Sequence, residues 1–377
     1  MKNPFVFGHL SPLSSFVNRT KDIEKLRQNI DNHIHTILLS PRRWGKSSLV
    51  RILENKIGKS KKTVFCHLDM FNVSSEMDFY HSFSNEILKK THNKSNDFFE
   101  SINTFFRKLA PEVTFKAGSL AELSLNFDKE KTKTSFIEIL NLPEEIAKKK
   151  KIKIVICIDE FQNLDRFKDP LLFQQRLRAN WQHHNNVVYV LYGSKRSMLS
   201  SIFENHSMPF YRFGDVHYLK KIETSHWLKF LQSNFKKTNK KISKKHAIRL
   251  IDLMENHSYY VQQLGHIIWN NTLKEVDDEI FEESVNDIIG RNAMMFESIF
   301  ENLSTNQIKV IHLLVDDINA KHTSAAIVNK YNLVSSANVI QALKSLENKE
   351  VIDRFEGFTQ FIDPVFRMWL KIRVFKD

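Results

Sequence analysis

Cysteine, glycine and proline are all scarce in this 377-residue chain, which has 2, 9 and 8 of them respectively. Each scarcity excludes a class of protein. Cys66 and Cys157 lie inside the apolar runs TVFCHLDM and IVICIDEF, where a thiol behaves as a small core residue, so a disulfide scaffold is excluded. The 16 histidines have neither CxxC partners nor HExxH spacing, which leaves no zinc motif. So little glycine and proline rules out collagen-like and linker-like chains and favours long regular elements. No apolar run approaches the roughly 20 residues of a bilayer helix. The start MKNPFVFGHL has no charged leader and apolar core, so the expectation is a soluble, cytoplasmic protein without membrane insertion.

Apolar residues make up 42% of the chain and 30 residues are Phe, enough for sizeable cores. The length suggests two or three units of roughly 100–200 residues each. The formal net charge is +13 and is unevenly spread. Its densest stretch is 220–249, where Lys220, Lys221, Lys229, Lys236, Lys237, Lys240, Lys241, Lys244, Lys245 and Arg249 stand against the single acid Glu223. Such a cluster suits the phosphates of a nucleic acid or a membrane surface, or it is a solvated helical surface. Residues 297–377 are balanced in charge, unlike a typical DNA-reading module.

Short apolar runs alternate with amphipathic stretches, the order of a parallel sheet covered by helices. The expected strands are His35–Leu39, Thr63–Leu68, Lys153–Ile158, Val187–Tyr192 and Val216–Leu219. Helical spacing covers Thr20–Asn32, Lys46–Ile57, Ser75–Lys90, Asp169–His183 and Ser197–Phe203. Residues 93–133 interrupt the rhythm with alternating apolar and polar residues, read as an inserted hairpin. Three domains are expected: a core over 1–221, a helical domain over 222–295 and a winged-helix-like domain over 296–377. In the second, Thr224–Asn234, Ser243–Asn256, Tyr260–Lys274 and Asp277–Met295 read as helices, with Thr224 and Ser243 as N-caps. In the third, helices over Ile299–Ile318, Thr323–Tyr331 and Ser335–Asn348 precede a hairpin around Gly357.

The sharpest motif is Ser40-Pro41-Arg42-Arg43-Trp44-Gly45-Lys46-Ser47-Ser48, which follows the strand HTILL and opens the helix KSSLVRIL. A bound polyphosphate needs inward backbone N–H groups, a helix N-terminus, a lysine and a hydroxyl for Mg²⁺, and this stretch supplies all four. Lys46 would reach the β- and γ-phosphates and Ser47 would ligate Mg²⁺. The usual first glycine of GxxxxGK[ST] is replaced by Ser40. Downstream, the apolar strand ending at Ile158 closes on Asp159 and Glu160, which packing alone does not require. Asp159 would hold Mg²⁺ through water, and Glu160 would polarise an attacking water as general base. A third apolar strand ends at Gly193-Ser194, where the hydroxyl either orients that water or caps the next helix. Arg212 is the first candidate for the arginine that neutralises the transition-state phosphoryl group, with Arg178 and Arg196 as alternatives.

Together these motifs resemble the STAND-type P-loop ATPases of the prokaryotic clade related to AAA+ proteins. The matching residues are Phe16-Val17-Asn18-Arg19, the loop Pro41 to Ser47, Ile158-Asp159-Glu160-Phe161-Gln162, Gly193-Ser194, Pro209-Phe210-Tyr211-Arg212 and Asn256 to Leu264. The resemblance implies an α/β core with strand order 5-1-4-3-2, a helical lid and a C-terminal winged helix. It further implies ATP and Mg²⁺ as ligands, with Asn18 and Arg19 beside the base and Tyr259 of the lid against the nucleotide. Asn256 and Ser258 depart from the family's Gly-x-Pro before the paired tyrosines. Two functions are implied: a slow ATP-hydrolysing switch coupled to a protein partner or self-assembly, or a nucleic-acid-dependent ATPase gripping DNA through residues 220–249 and the winged helix. No NKxD tetrad appears, so the preference for ATP over GTP rests on the resemblance.

Overall fold

The computed structural model describes residues 2–9, 15–58, 62–91, 114–117, 123–126, 133–355 and 357–375. They divide into two compact units, one of Arg19–Arg42 with Lys46–Lys220, the other of Met1–Asn18, Arg43–Gly45 and Lys221–Asp377.

The first unit begins with α1 (Thr20–Asp31), β1 (Thr36–Leu39), α2 (Lys46–Ile57), β2 (Thr63–Asp69) and α3 (Glu76–Thr91). A hairpin follows, β3 (Thr114–Ala117) antiparallel to β4 (Leu123–Asn126), within the stretch expected to carry one; the rest of 93–133 lies outside the described residues apart from the first residue of the next helix. The chain continues through α4 (Lys133–Lys150), β5 (Lys153–Asp159), α5 (Pro170–Trp181), β6 (Val187–Gly193), α6 (Arg196–Phe203) and β7 (Asp215–Tyr218). The sheet runs β2-β5-β6-β1-β7, every pair parallel. Counting only these five strands, the order is the expected 5-1-4-3-2 read from the other edge. Strands β1 and β6 are buried at every residue, as a sheet covered on both faces requires. Helix α4, with Pro143 inside it, was not among the helices read from the sequence.

Phenylalanine abundance has its explanation here. Phe79, Phe83, Phe173, Trp181, Tyr189, Phe210 and Phe213 form one aromatic layer of the core, with Trp181 stacked on Tyr189 at 4.1 Å. Parallel strands place all their carboxyl ends along one edge, where loops and helix N-termini collect.

The second unit comprises α7 (Thr224–Lys237), α8 (Lys244–Leu253), α9 (Ser258–Asn271), α10 (Asp278–Glu301), α11 (Thr305–Asp316), α12 (Ala325–Lys330), α13 (Ser336–Asn348), the hairpin β8 (Ile352–Phe355) and β9 (Phe358–Phe361), and α14 (Pro364–Trp369). A single apolar cluster runs through it, from Trp227 and Leu264 to Leu343 and Phe366, and includes Phe5 and Val17 from the start of the chain. The compact division therefore differs from the boundaries read from sequence: residues 1–18 join the C-terminal unit, because Phe5 packs beside Phe230 and Phe235. Two local readings change. Ser243 is an N-cap, accepting from His246 N–H, but Thr224 is the first helical residue and caps nothing. The stretch Ile299–Ile318 is two helices, because Ser304 and Gln307 form a reciprocal capping box that starts α11 afresh. Ser304→Ala should accordingly lower the stability of the second unit by about 1 kcal/mol in urea unfolding, and Thr224→Ala by less than half of that.

Candidate functional site

The site is built where β1 stops. Its last residue, Leu39, leads into Ser40, and the chain turns over five residues before Lys46 opens α2. Gly45 has φ +96°, a conformation glycine adopts without strain, whereas Arg43 holds φ +62° with a side chain attached. Ser40, standing where the usual pattern has glycine, is fully buried. The buried Lys46 ammonium donates to the carbonyls of Ser40 and Pro41, each at 2.9 Å. Burial lowers its pKa to about 8, against the pull of Glu160 and Asp159 and with a further push from Arg42 and Arg196.

At the end of β5, Asp159 Oδ2 accepts a hydrogen bond from the Ser47 hydroxyl at 2.7 Å. Burial pushes the Asp159 carboxyl up to about 6; the Ser47 bond opposes this, the neighbouring Glu160 charge adds to it and Lys46 relieves it. Glu160 turns the chain with φ +51°. Its Oε2 accepts from the Ser194 hydroxyl at 2.9 Å, from the Ser194 N–H at 3.3 Å and from the Gln162 amide. Arg42 Nε in turn donates to the Ser194 hydroxyl at 3.3 Å. One edge of the sheet thus gathers a lysine, two hydroxyls, two carboxylates and an arginine from three strand ends. Sequence reading singled out all of these. It gave no chemical role to Gln162, although that residue stood in the quoted IDEFQ run.

The remaining sequence candidates have the following surroundings. Ser48 is buried in the first turn of α2. Arg43, Trp44 and Gly45 belong to the second unit. There the Arg43 guanidinium lies 4.6 Å over the Tyr259 ring and donates to the Tyr260 hydroxyl at 3.0 Å. Tyr260 donates onward to Asp363, the N-cap of α14. Trp44 is buried, with its carbonyl accepting from the Ser258 hydroxyl at 3.4 Å. Asn18 is exposed in the same unit, with φ +27°. Arg19, expected beside a nucleotide base, is buried with its guanidinium on the Lys220 carbonyl and 3.5 Å from Asp22. That makes it a brace between α1 and the end of β7.

The three candidate arginines separate clearly. Arg212 is exposed, with its guanidinium 5.2 Å over Tyr211 and no ion pair among the described residues. Arg178 lies 5.0 Å over Phe213, and its charge acts on His35, just before β1 at the opposite end of the sheet from the loop. Arg196 begins α6 after β6, and its charge is felt by Lys46.

In comparisons with known proteins, the family model described as predicted AAA-ATPase, AAA-ATPase-like, matches residues 13–208, just over half of the chain. A model described as probable winged helix domain matches residues 294–372. No curated protein matches the sequence. Among solved structures, the Walker-type ATPase PABY2304 of Pyrococcus abyssi aligns with a TM-score of 0.66 at 16% identity, over 96% of this chain and 99% of that one. The ORC2 protein of Aeropyrum pernix, solved in ADPNP–ADP complexes, aligns with a TM-score of 0.57 at 12% identity, over 95% and 92%. At these identities the structures share a fold with this chain. On the extent of the family match, this chain belongs to the AAA-ATPase-like family.

Proposed function

We propose that the protein is a nucleotide-binding ATPase that hydrolyses ATP to ADP and phosphate and works as a slow, nucleotide-controlled switch. The reading rests above all on one observation: Lys46, Ser47, Asp159 and Glu160 converge at adjacent strand ends, with the Ser47 hydroxyl 2.7 Å from Asp159. A hydroxyl beside a buried carboxylate is a donor set that fits Mg²⁺. Ser47 and Asp159 would hold that ion, which would supply positive charge to offset that of the phosphates. The Lys46 amine would exchange the Ser40 and Pro41 carbonyls for phosphate oxygens. Glu160 would take the proton of the attacking water, and Arg196 would face the charge that develops on the phosphoryl group. The exposed Arg212 is left for a role outside this pocket.

The switch part of the proposal draws on the Arg43, Tyr260 and Asp363 chain. A phosphate competing for Arg43 would compete with the Tyr260 hydroxyl, and so would bias the packing of α9 and α14. A second reading, contact with nucleic acid, draws on Lys229, Lys236, Lys237, Lys241 and Lys244, which are exposed and without acidic partners among the described residues. Against it, Lys245 pairs with Asp278 at 3.3 Å and Arg249 with Glu282 at 2.6 Å. A switch should hydrolyse ATP with little stimulation by DNA at any salt concentration, whereas a nucleic-acid motor should show a steep salt slope.

Three outcomes follow. Lys46→Ala should weaken binding of a fluorescent ATP analogue at least roughly 10-fold, while Glu160→Gln should bind it normally and lose roughly 100-fold or more in kcat. Unchanged binding by Lys46→Ala would refute the pocket. Because free Lys46 titrates near 8 and phosphate favours its charged form, ATP affinity should fall as pH rises above 8, with proton uptake on binding visible by calorimetry in buffers of different ionisation enthalpy. For Asp159 the folded value, about 6, lies above the unfolded 3.8, so its burial penalty is full above pH 6 and fades as pH falls toward 4. Asp159→Asn should therefore stabilise the nucleotide-free protein by about 3 kcal/mol at pH 8, a gain that shrinks by pH 4.5, while abolishing the Mg²⁺ dependence of ATP binding.

A further inference from the structure

Gln162 lies two residues beyond Glu160, in the 3-10 turn Phe161–Arg166, and is 1% exposed. Its amide nitrogen donates to Glu160 Oε2, the same oxygen that accepts both the hydroxyl and the N–H of Ser194. Three donors therefore converge on one carboxylate oxygen, and Oε1 receives none among the described residues. Ser194 is itself held by Arg42.

The other end of the amide shows what this arrangement costs. Gln162 Oε1 is buried and has no hydrogen-bond partner among the described residues. A buried carbonyl without a partner is unfavourable, yet turning the amide over would set its oxygen against the carboxylate and remove a donor from it. The oxygen is accommodated because residue 193 has no side chain: a Cβ built on Gly193 would stand 2.0 Å from Gln162 Oε1 and 3.0 Å from its Cδ. Gly193 ends β6 with an ordinary negative φ, so no turn conformation calls for glycine there; the space for Gln162 does.

We propose that Gln162 is a positioning residue for ATP hydrolysis, seated by Gly193. With Ser194 it pins Glu160 through Oε2 and leaves Oε1 as the atom that takes the proton of the attacking water. In that step the water oxygen bonds to the γ-phosphorus, the bond from phosphorus to the β-bridging oxygen breaks, and the proton passes to Oε1 and then to solvent as ADP and phosphate leave. The inference rests on the ATPase reading above.

The test is steady-state ATP hydrolysis by the full chain, with melting temperature followed in parallel. Gln162→Ala should lower kcat roughly 10-fold, the effect of losing one hydrogen bond to a charged group, with KM within about 2-fold of the parent and the melting temperature little changed. Gly193→Ala should reproduce the kcat loss by displacing the amide, and the double variant should be no worse than the poorer single one. In the Glu160→Gln background neither change should lower kcat further. A Gln162→Ala enzyme with parental or raised kcat, one whose deficit lies in KM, or one that loses activity further without Glu160 would overturn the proposal while leaving the ATPase reading standing. Hydrolysis equal in the parent and Glu160→Gln would sink the ATPase reading, and this inference with it. Should Gly193→Ala fail to fold, Gln162→Ala in the two backgrounds decides alone.

Discussion

Charges withdrawn from water at the strand ends, each tolerable only because of the others, are the constraint on which the site depends. Lys46 loses hydration and titrates near 8, below an ordinary amine; Asp159 loses hydration and titrates near 6, above an ordinary carboxyl. Each shift is held back by the charge of the other group, and that of Lys46 by Glu160 as well, whereas the Glu160 charge adds to the rise at Asp159. Hydroxyls and loop carbonyls complete the solvation that water no longer supplies. Such an assembly is poised to gain from anything that brings more charge of the right sign, which is what a polyphosphate with its divalent ion would do.

The parallel sheet makes this gathering possible. Residues 46, 159 and 194 are far apart in the chain, but they follow three strands that run the same way side by side, so their positions are set by register. The core beneath the strands is apolar and rich in aromatic rings, which keeps the strand ends from shifting independently. Gln162 illustrates the precision this allows: its seat is one missing methyl group at the end of the neighbouring strand.

The C-terminal unit follows a different logic. Its basic stretch and its acidic stretch are neighbours in sequence and partners in space, with α8 lysine and arginine side chains meeting α10 carboxylates. Part of the positive charge that stands out along the chain is thus used in holding α8 to α10. The first residues of the chain are recruited to the same unit, where Phe5 fills a gap between aromatic rings that local spacing could not reveal.

Periodicity and motif spacing carried a good share of the architecture: five apolar runs, the phosphate loop between the first run and its helix, paired acids after the third, and a C-terminal hairpin after three helices. These were legible because each is a local pattern imposed by a 2.0 or 3.6 repeat or by a turn. Helix α4 was missed because it adjoins an insertion and carries Pro143, and the break at Ser304 because a capping box interrupts an otherwise continuous apolar stripe. Arg19 as a brace, Arg196 as an arginine that acts on Lys46 together with Arg42, and Gln162 wedged beside Gly193 belong to the tertiary structure alone. Each depends on which strand or loop lies adjacent in space, and sequence distance holds no record of that.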